Sequence, residues 1–168
     1  MLVRATRFSE LDFPKLMEIY AEGNRENGEF FYPDLSRERQ IAHAEQDFER
    51  YLREEFFSVD GAEYWVLREQ GRDLSALRLE PFADGLLLEA LETRPDARRQ
   101  GFASRLIRAV TKKYGNRKVY SHISKRNLAS RKTHEGCGFR KWADYARLID
   151  GTVSTRADTY LWTGKIDD

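Results

Sequence analysis

Two periods divide the chain. Through its first third, apolar residues return every three or four positions, and beyond Ala62 they return every second position or gather in short runs. Residues 2–5 read as a short strand. Ser9, followed three residues later by Asp12, resembles a capping box for a helix bearing Leu11, Leu16, Ile19 and Tyr20, which Gly23 and Asn24 are expected to stop. A loop carrying Phe30, Phe31, Tyr32 and Pro33 leads to Ser36. There a second helix begins, with Ile41, Ala44, Phe48, Leu52 and Phe56 on one face. Residues 64–67 and 74–79 flank a turn near Gly71 and predict a hairpin, and Asp84 and Gly85 mark the next tight turn. Residues 86–93 form a strand too apolar for an exposed edge, ended by Pro95. Leu106, Ile107, Val110 and Tyr114 share a helix face that Gly115 closes. A strand at 119–124, a helix capped by Asn127 and closed by Gly138, and two strands flanking the Asp150-Gly151 turn complete the pattern. The predicted fold class is mixed α/β: a mostly antiparallel sheet with flanking helices and one parallel pair, supplied by the strand, helix and strand over 86–124.

Composition narrows the class. At 168 residues, with no repeat, low-complexity tract or Gly/Ser/Pro linker, residues 1–168 are expected to form a single domain. Charged residues make up 34% of the chain and mean hydropathy is −0.71, which predicts no membrane span, while 40% hydrophobic residues argue against disorder. One cysteine, Cys137, excludes an internal disulfide, and the charged first residues lack the apolar stretch of a secretion signal, so a cytoplasmic location is expected.

The net charge of +1 is a cancellation. Residues 1–60 hold 8 Lys/Arg against 14 Asp/Glu, and residues 94–141 hold 15 against 2. A basic segment in a near-neutral chain points to an anionic ligand, either a nucleic acid or a phosphorylated small molecule. Motif spacing separates the two. After the apolar strand comes Arg94-Pro95-Asp96-Ala97-Arg98-Arg99-Gln100-Gly101-Phe102-Ala103-Ser104, with a helix starting inside it. The first amides of a helix lack internal partners and point outward with the positive end of its dipole. Gly101 removes the Cβ that would hold a phosphate off the backbone, and arginine adds a bidentate fork.

This stretch, with Asn127, Ser130, His134 and the Gly138-Phe139 pair, resembles the GNAT superfamily of acetyl-CoA-dependent N-acetyltransferases, in the pattern of a bacterial single-domain member. The family's first signature is a Pro near a strand end followed by Arg/Gln-x-x-Gly-x-Gly/Ala, here Pro95 and 98–103. Its second is Asn-x-x-Ala/Ser with a Tyr seven residues after the Asn and Gly-Phe at the helix end, and this chain departs from it by placing His134 where the Tyr stands. The resemblance implies acetyl-CoA as cofactor. Arg98, Arg99, Gln100, Gly101, Phe102, Ala103 and Ser104 would cradle the pyrophosphate, and the backbone at Leu91 and Thr93 would pair with the pantetheine arm. Asn127 would contact that arm, and Ser130 and Arg131 lie where the far side of the cofactor passes. No P-loop and no Gly-x-Gly-x-x-Gly is present.

The resemblance implies transfer of an acetyl group from the CoA thioester to a primary amine by direct attack in a ternary complex. Such transfer needs a neutral amine, a polarised carbonyl and a proton for the thiolate. The family often carries its base two residues before the position of Leu91, which selects Glu89, with Glu92 as fallback. A carboxylate simply paired with Arg78 is an equal alternative. His134 would replace the Tyr as acid only as an imidazolium, and the basic segment disfavours that form. Its alternatives are a hydrogen bond to the sulfur, or a helix histidine satisfied by a nearby carbonyl. His122 and Tyr120 alternate with Ser121 and Ile123 on the second parallel strand and are candidates to line the cleft, although they read better as core packing; Cys137 reads as an inert thiol, His43 as solvated, and no metal-ligand spacing appears.

Family members build the acceptor site from the first helices and the late hairpin. Here that first region is acidic, and Glu22, Glu26, Glu29 and Asp34, interleaved with Phe30, Phe31 and Tyr32, are candidates to hold a cationic amine, although ordinary solubility charge explains them as well. The expected partner is a small-molecule or peptide amine, with no nucleic acid and no membrane, and a homodimer is common among relatives. Two rival functions stand beside this one: a catalytically idle acyl-CoA-binding regulator, and a nucleic-acid-binding module using residues 94–141, for which no recognition motif is present.

Overall fold

The computed structural model describes residues 1–164. Nine strands and five α-helices follow one another as β1 (Leu2–Ala5), α1 (Phe13–Ile19), α2 (Ala21–Phe31), α3 (Arg37–Glu54), β2 (Glu63–Glu69), β3 (Arg72–Phe82), β4 (Gly85–Thr93), α4 (Phe102–Tyr114), β5 (Val119–Ser124), α5 (Leu128–Gly136), β6 (Arg140–Ala143), β7 (Ala146–Arg147), β8 (Val153–Ser154) and β9 (Ala157–Trp162). Seven strands form one sheet in the order β1-β2-β3-β4-β5-β9-β6. Every pairing within it is antiparallel except β4 with β5.

Alternation along the strands buries both faces. One face, with Leu77, Leu79, Leu86 and Leu88, packs on Leu106, Ile107 and Val110 of α4, and the other, with Tyr64, Val66 and Ala76, packs on Leu16 and Ile19 of α1 and Leu52 of α3. Each such side chain contributes about 1.5–3 kcal/mol by leaving water.

The site is set by a failure of pairing. β5 meets β4 only at Leu86, Leu87 and Leu88, so from Glu89 onward β4 has no β5 partner and the two strands splay. On its other edge β4 carries a register shift opposite Ala76 and Arg78, and Ala90 sits there at φ +49, a conformation that costs a non-glycine residue of order 1 kcal/mol or more. Tyr20 holds it. Its hydroxyl donates to the Ala90 carbonyl at 2.6 Å and accepts from the Tyr64 hydroxyl at 2.8 Å.

Three expectations from the pattern require correction. Asp12, not Ser9, caps α1, its carboxylate accepting from the Lys15 amide. Gly23 and Asn24 do not stop the helix. After a break at Tyr20, α2 runs through both and through Phe30 and Phe31, because Asn24 is buried with its amide on Met17 and so is bound into the core rather than into a turn. The Asp150-Gly151 turn joins only the two-residue strands β7 and β8. The strands that complete the sheet, β6 and β9, lie outside that hairpin.

Candidate functional site

Three connected cavities run from one face of the sheet to the other through the splay. The first, about 550 Å³, lies at the start of α4 and is lined by Thr93, Arg98, Arg99, Gly101, Phe102 and Ser104 among others. No side chain caps this helix start. Gly101 has φ +81 with nothing within 4 Å of where a Cβ would stand, and Arg99 is also left-handed at φ +60, so the turn presents backbone amides to an open, basic cavity. A turn of this kind can receive an anion, and its residues fit a diphosphate. Arg99 and Gln100 are exposed beside it. Arg98 is already engaged, 2.6 Å from Glu22 and 3.4 Å from Glu92. Arg131 reaches the Lys125 carbonyl at 3.4 Å, on the far side of Asn127.

The second cavity, about 170 Å³, shares Leu91, Asn127 and Ser130 with the first and continues between the splayed strands to His134. Asn127 spends its side-chain oxygen on the Ser130 amide at 3.0 Å, capping α5, which leaves its NH₂ for a ligand. His134 is buried. The Ser130 carbonyl, 2.8 Å from Nδ1, can only accept, so Nδ1 carries the proton and Nε2 accepts from the Ser121 hydroxyl at 3.0 Å. Burial pushes the imidazole below its ordinary range, so at neutral pH the ring is uncharged and offers the cleft no proton.

The third cavity, about 420 Å³, opens on the opposite face between the end of α3, β3 and the loop after β7, lined by Tyr51, Glu55, Phe56, Glu80 and Ile149 among others. Glu89 and His122 line both this cavity and the second. They are the side chains at the crossing. Glu89 is pushed up to about 8, first by burial, then by sharing a hydrogen bond with Glu80, and Arg78 opposes the rise only partly. The pair with Arg78 is long, 4.0 Å from Nε to Oε2, and neither of those buried atoms has a hydrogen-bond partner among the described residues. Glu92, the fallback, lies off the crossing beside Arg98, with one oxygen accepting from the Thr93 amide.

Of the two readings of His122, core packing is the one the sequence favours, yet the residue lines the cleft as its alternation with Ser121 allows; its Nε2 is buried with no hydrogen-bond partner among the described residues, and burial lowers its basicity. Tyr20 and Tyr64, which hold the bulge, left no trace in spacing. The acidic set of the first third is dispersed. Glu22 pairs with Arg98 beside the first cavity, Glu26, Glu29 and Asp34 are exposed, and the carboxylates lining the third cavity are Glu55, Glu80, Glu89 and Asp150. Cys137 is a buried free thiol with its pKa raised by burial. Among the described residues no cluster of His, Cys, Asp and Glu is arranged to hold a metal ion, and no helix is long and apolar enough to cross a membrane.

A seven-stranded sheet with one splayed parallel pair is a fold with known relatives. Residues 25–139 match the model of the Acetyltransferase (GNAT) family. The chain belongs to the GNAT family. Acetyl-CoA is the cosubstrate of that family, and N-acetyltransfer its general activity. Among solved structures, the chain is similar to one titled histone acetyltransferase HPA2 and related acetyltransferase from Corynebacterium glutamicum, with TM-score 0.70, 15% identity, and 99% of this chain and 97% of that one covered. It also resembles PaiA N-acetyltransferase from Thermoplasma acidophilum in complex with coenzyme A, with TM-score 0.60, 13% identity and coverage of 97% and 99%. Aminoglycoside acetyltransferase AAC(6')-Ib, in complex with coenzyme A and kanamycin, gives TM-score 0.64, 13% identity and coverage of 97% and 95%. At these identities the likeness is one of fold. No curated protein matches the sequence.

Proposed function

We propose that this GNAT protein transfers an acetyl group from acetyl-CoA to a primary amine by direct attack with both substrates bound, with Glu89 as the base. The observation that carries the reading is the crossing itself: Glu89 is the one carboxylate among the described residues that lines both the cofactor-side cleft and the acceptor-side cavity. The diphosphate would rest on the 98–104 turn through its amides and Arg99, with Arg98 contributing backbone while its side chain stays on Glu22. The pantetheine arm would lie along 91–93, with the Asn127 NH₂, Ser130 and Arg131 on its far side.

The amine nitrogen forms the new bond to the acyl carbon as the carbon–sulfur bond breaks with its electron pair on sulfur. One amine proton passes to Glu89. A backbone amide at the bulge polarises the acyl oxygen, and the fixed Ala90 conformation aims it. His134 has its only ring proton on the Ser130 carbonyl, so the thiolate takes its proton from solvent, and His134 serves by fixing the Ser121 hydroxyl in the wall of the cleft.

Acetyl-CoA offered with a panel of amines, and read with a thiol reagent, tests the reading. Amine-dependent release of CoA thiol is expected. Tight acetyl-CoA binding with no release for any amine would make the chain an idle acyl-CoA binder instead.

A further inference from the structure

Arg78 is the least explained group in the molecule. It projects from β3 into the acceptor face, its side chain is 14% exposed, and burial of a permanent charge is costly unless its donors are filled. They are not filled. Nε has no hydrogen-bond partner among the described residues, and the nearest carboxylate oxygen, on Glu89, stands 4.0 Å away. What supports the guanidinium is aromatic: its centre lies 4.9 Å from the Tyr51 ring and 5.3 Å from the Phe56 ring. Arg78 also lines a cavity of about 270 Å³, walled by Phe31, Tyr32, Phe48 and Tyr51, beside the acceptor-side cavity that Glu89 enters.

We infer that the acceptor is a free amino acid with an apolar or aromatic side chain, whose carboxylate is held by Arg78; this rests on the proposed transfer with Glu89 as base. An unfilled, planar, five-donor fork in an aromatic-walled pocket is matched by a carboxylate, which it can bind through two parallel bonds. The gap between Arg78 and Glu89 is short, so the anion and the reacting amine must be borne on neighbouring atoms of the ligand. An α-amino acid meets that demand, with its carboxylate toward Arg78 and its amine toward Glu89. Its side chain then enters the aromatic-walled cavity. A simple amine lacking the carboxylate leaves the guanidinium as unsatisfied as it stands now.

The test compares a matched pair of products, N-acetylphenylalanine and N-acetylphenethylamine, by calorimetry on the full chain saturated with CoA. A charge-assisted contact of this type predicts that N-acetylphenylalanine binds about tenfold or more tightly than its decarboxylated counterpart. In Arg78→Met the ratio falls to about one. Arg78→Lys keeps a charge without the fork and gives an intermediate ratio. Equal binding to the parent chain, binding of neither compound, or a ratio that survives Arg78→Met overturns the inference. Failure of the transfer reading has a separate signature: the binding preference is present, yet acetyl-CoA with phenylalanine or any other amine releases no CoA thiol.

Discussion

Replacing Glu89 by Gln keeps the side chain's shape and removes its ability to take a proton. With the carboxyl pushed up to about 8 by burial and by Glu80, roughly a tenth of the molecules hold the base form at pH 7. The parent kcat/KM should therefore climb about tenfold per pH unit below 8 and level above it, and the midpoint belongs to the Glu80–Glu89 pair rather than to one residue. Loss of a positioned base costs about 10²–10⁴-fold, on the order of 3–5 kcal/mol of barrier. Glu89→Gln should show that loss at pH 9 and no limb near 8. The acceptor's ammonium group also titrates, so the assay uses two amines of different basicity: a limb that moves with the amine belongs to the amine, and one that stays belongs to the protein. Stability gives a second readout. The folded chain keeps this proton where the unfolded chain has released it, so stability falls as pH rises from the ordinary carboxylate range to about 8. Glu89→Gln removes that fall and should raise the melting temperature relative to the parent at pH 9 and not at pH 4. A variant within threefold of parent kcat/KM at pH 9 would refute the assignment. A surviving limb below pH 6.5 would then point to His122, whose pKa is lowered by burial.

His134→Phe should leave the limb near pH 8 in place, since the ring is already neutral, while costing about 1–3 kcal/mol in denaturant unfolding because the buried Ser121 hydroxyl loses its acceptor. Recovery of part of that loss in the double variant with Ser121→Ala would identify the hydroxyl as its source, and a vanished pH limb would return His134 to acid catalysis. Two glycines of α2 should behave oppositely on heating. A Cβ at Gly28 would stand 2.6 Å from the Gln40 carbonyl oxygen of α3, so Gly28→Ala should destabilise by about 1–3 kcal/mol, whereas Gly23 has nothing within 4 Å and Gly23→Ala should stabilise by up to about 1 kcal/mol. Equal melting temperatures for the two variants would contradict the helix–helix contact.

How far the sequence could be read depended on whether a residue acts through its neighbours in the chain or across the fold. The shape of the 98–104 turn was legible because its signals are local: Gly101 and the helix start that follows it are consecutive, and Asn127 likewise caps the helix it precedes. Gly23 and Asn24 misled for the same reason, since a local rule assigned them a turn while Asn24 was committed to Met17 in the core. The acceptor face could not be read this way. Glu80, Glu89 and His122 come from β3, β4 and β5, and they converge where β5 stops pairing with β4 after Leu88, next to the bulge at Ala90 that Tyr20 and Tyr64 hold. The charge split shows both regimes at once. The excess of Lys and Arg in 94–141 reads as a segment for an anion, but Arg98 with Glu22, Arg94 with Glu18, Arg105 with Glu69 and Lys118 with Asp84 tie it to acidic residues elsewhere in the chain. Such exposed pairs contribute about 0–1 kcal/mol each. They matter more for what they withdraw from ligands: Arg98 is bound to two carboxylates while Arg99 beside it is exposed, and on β3 the buried Arg78 keeps an Nε with no hydrogen-bond partner among the described residues.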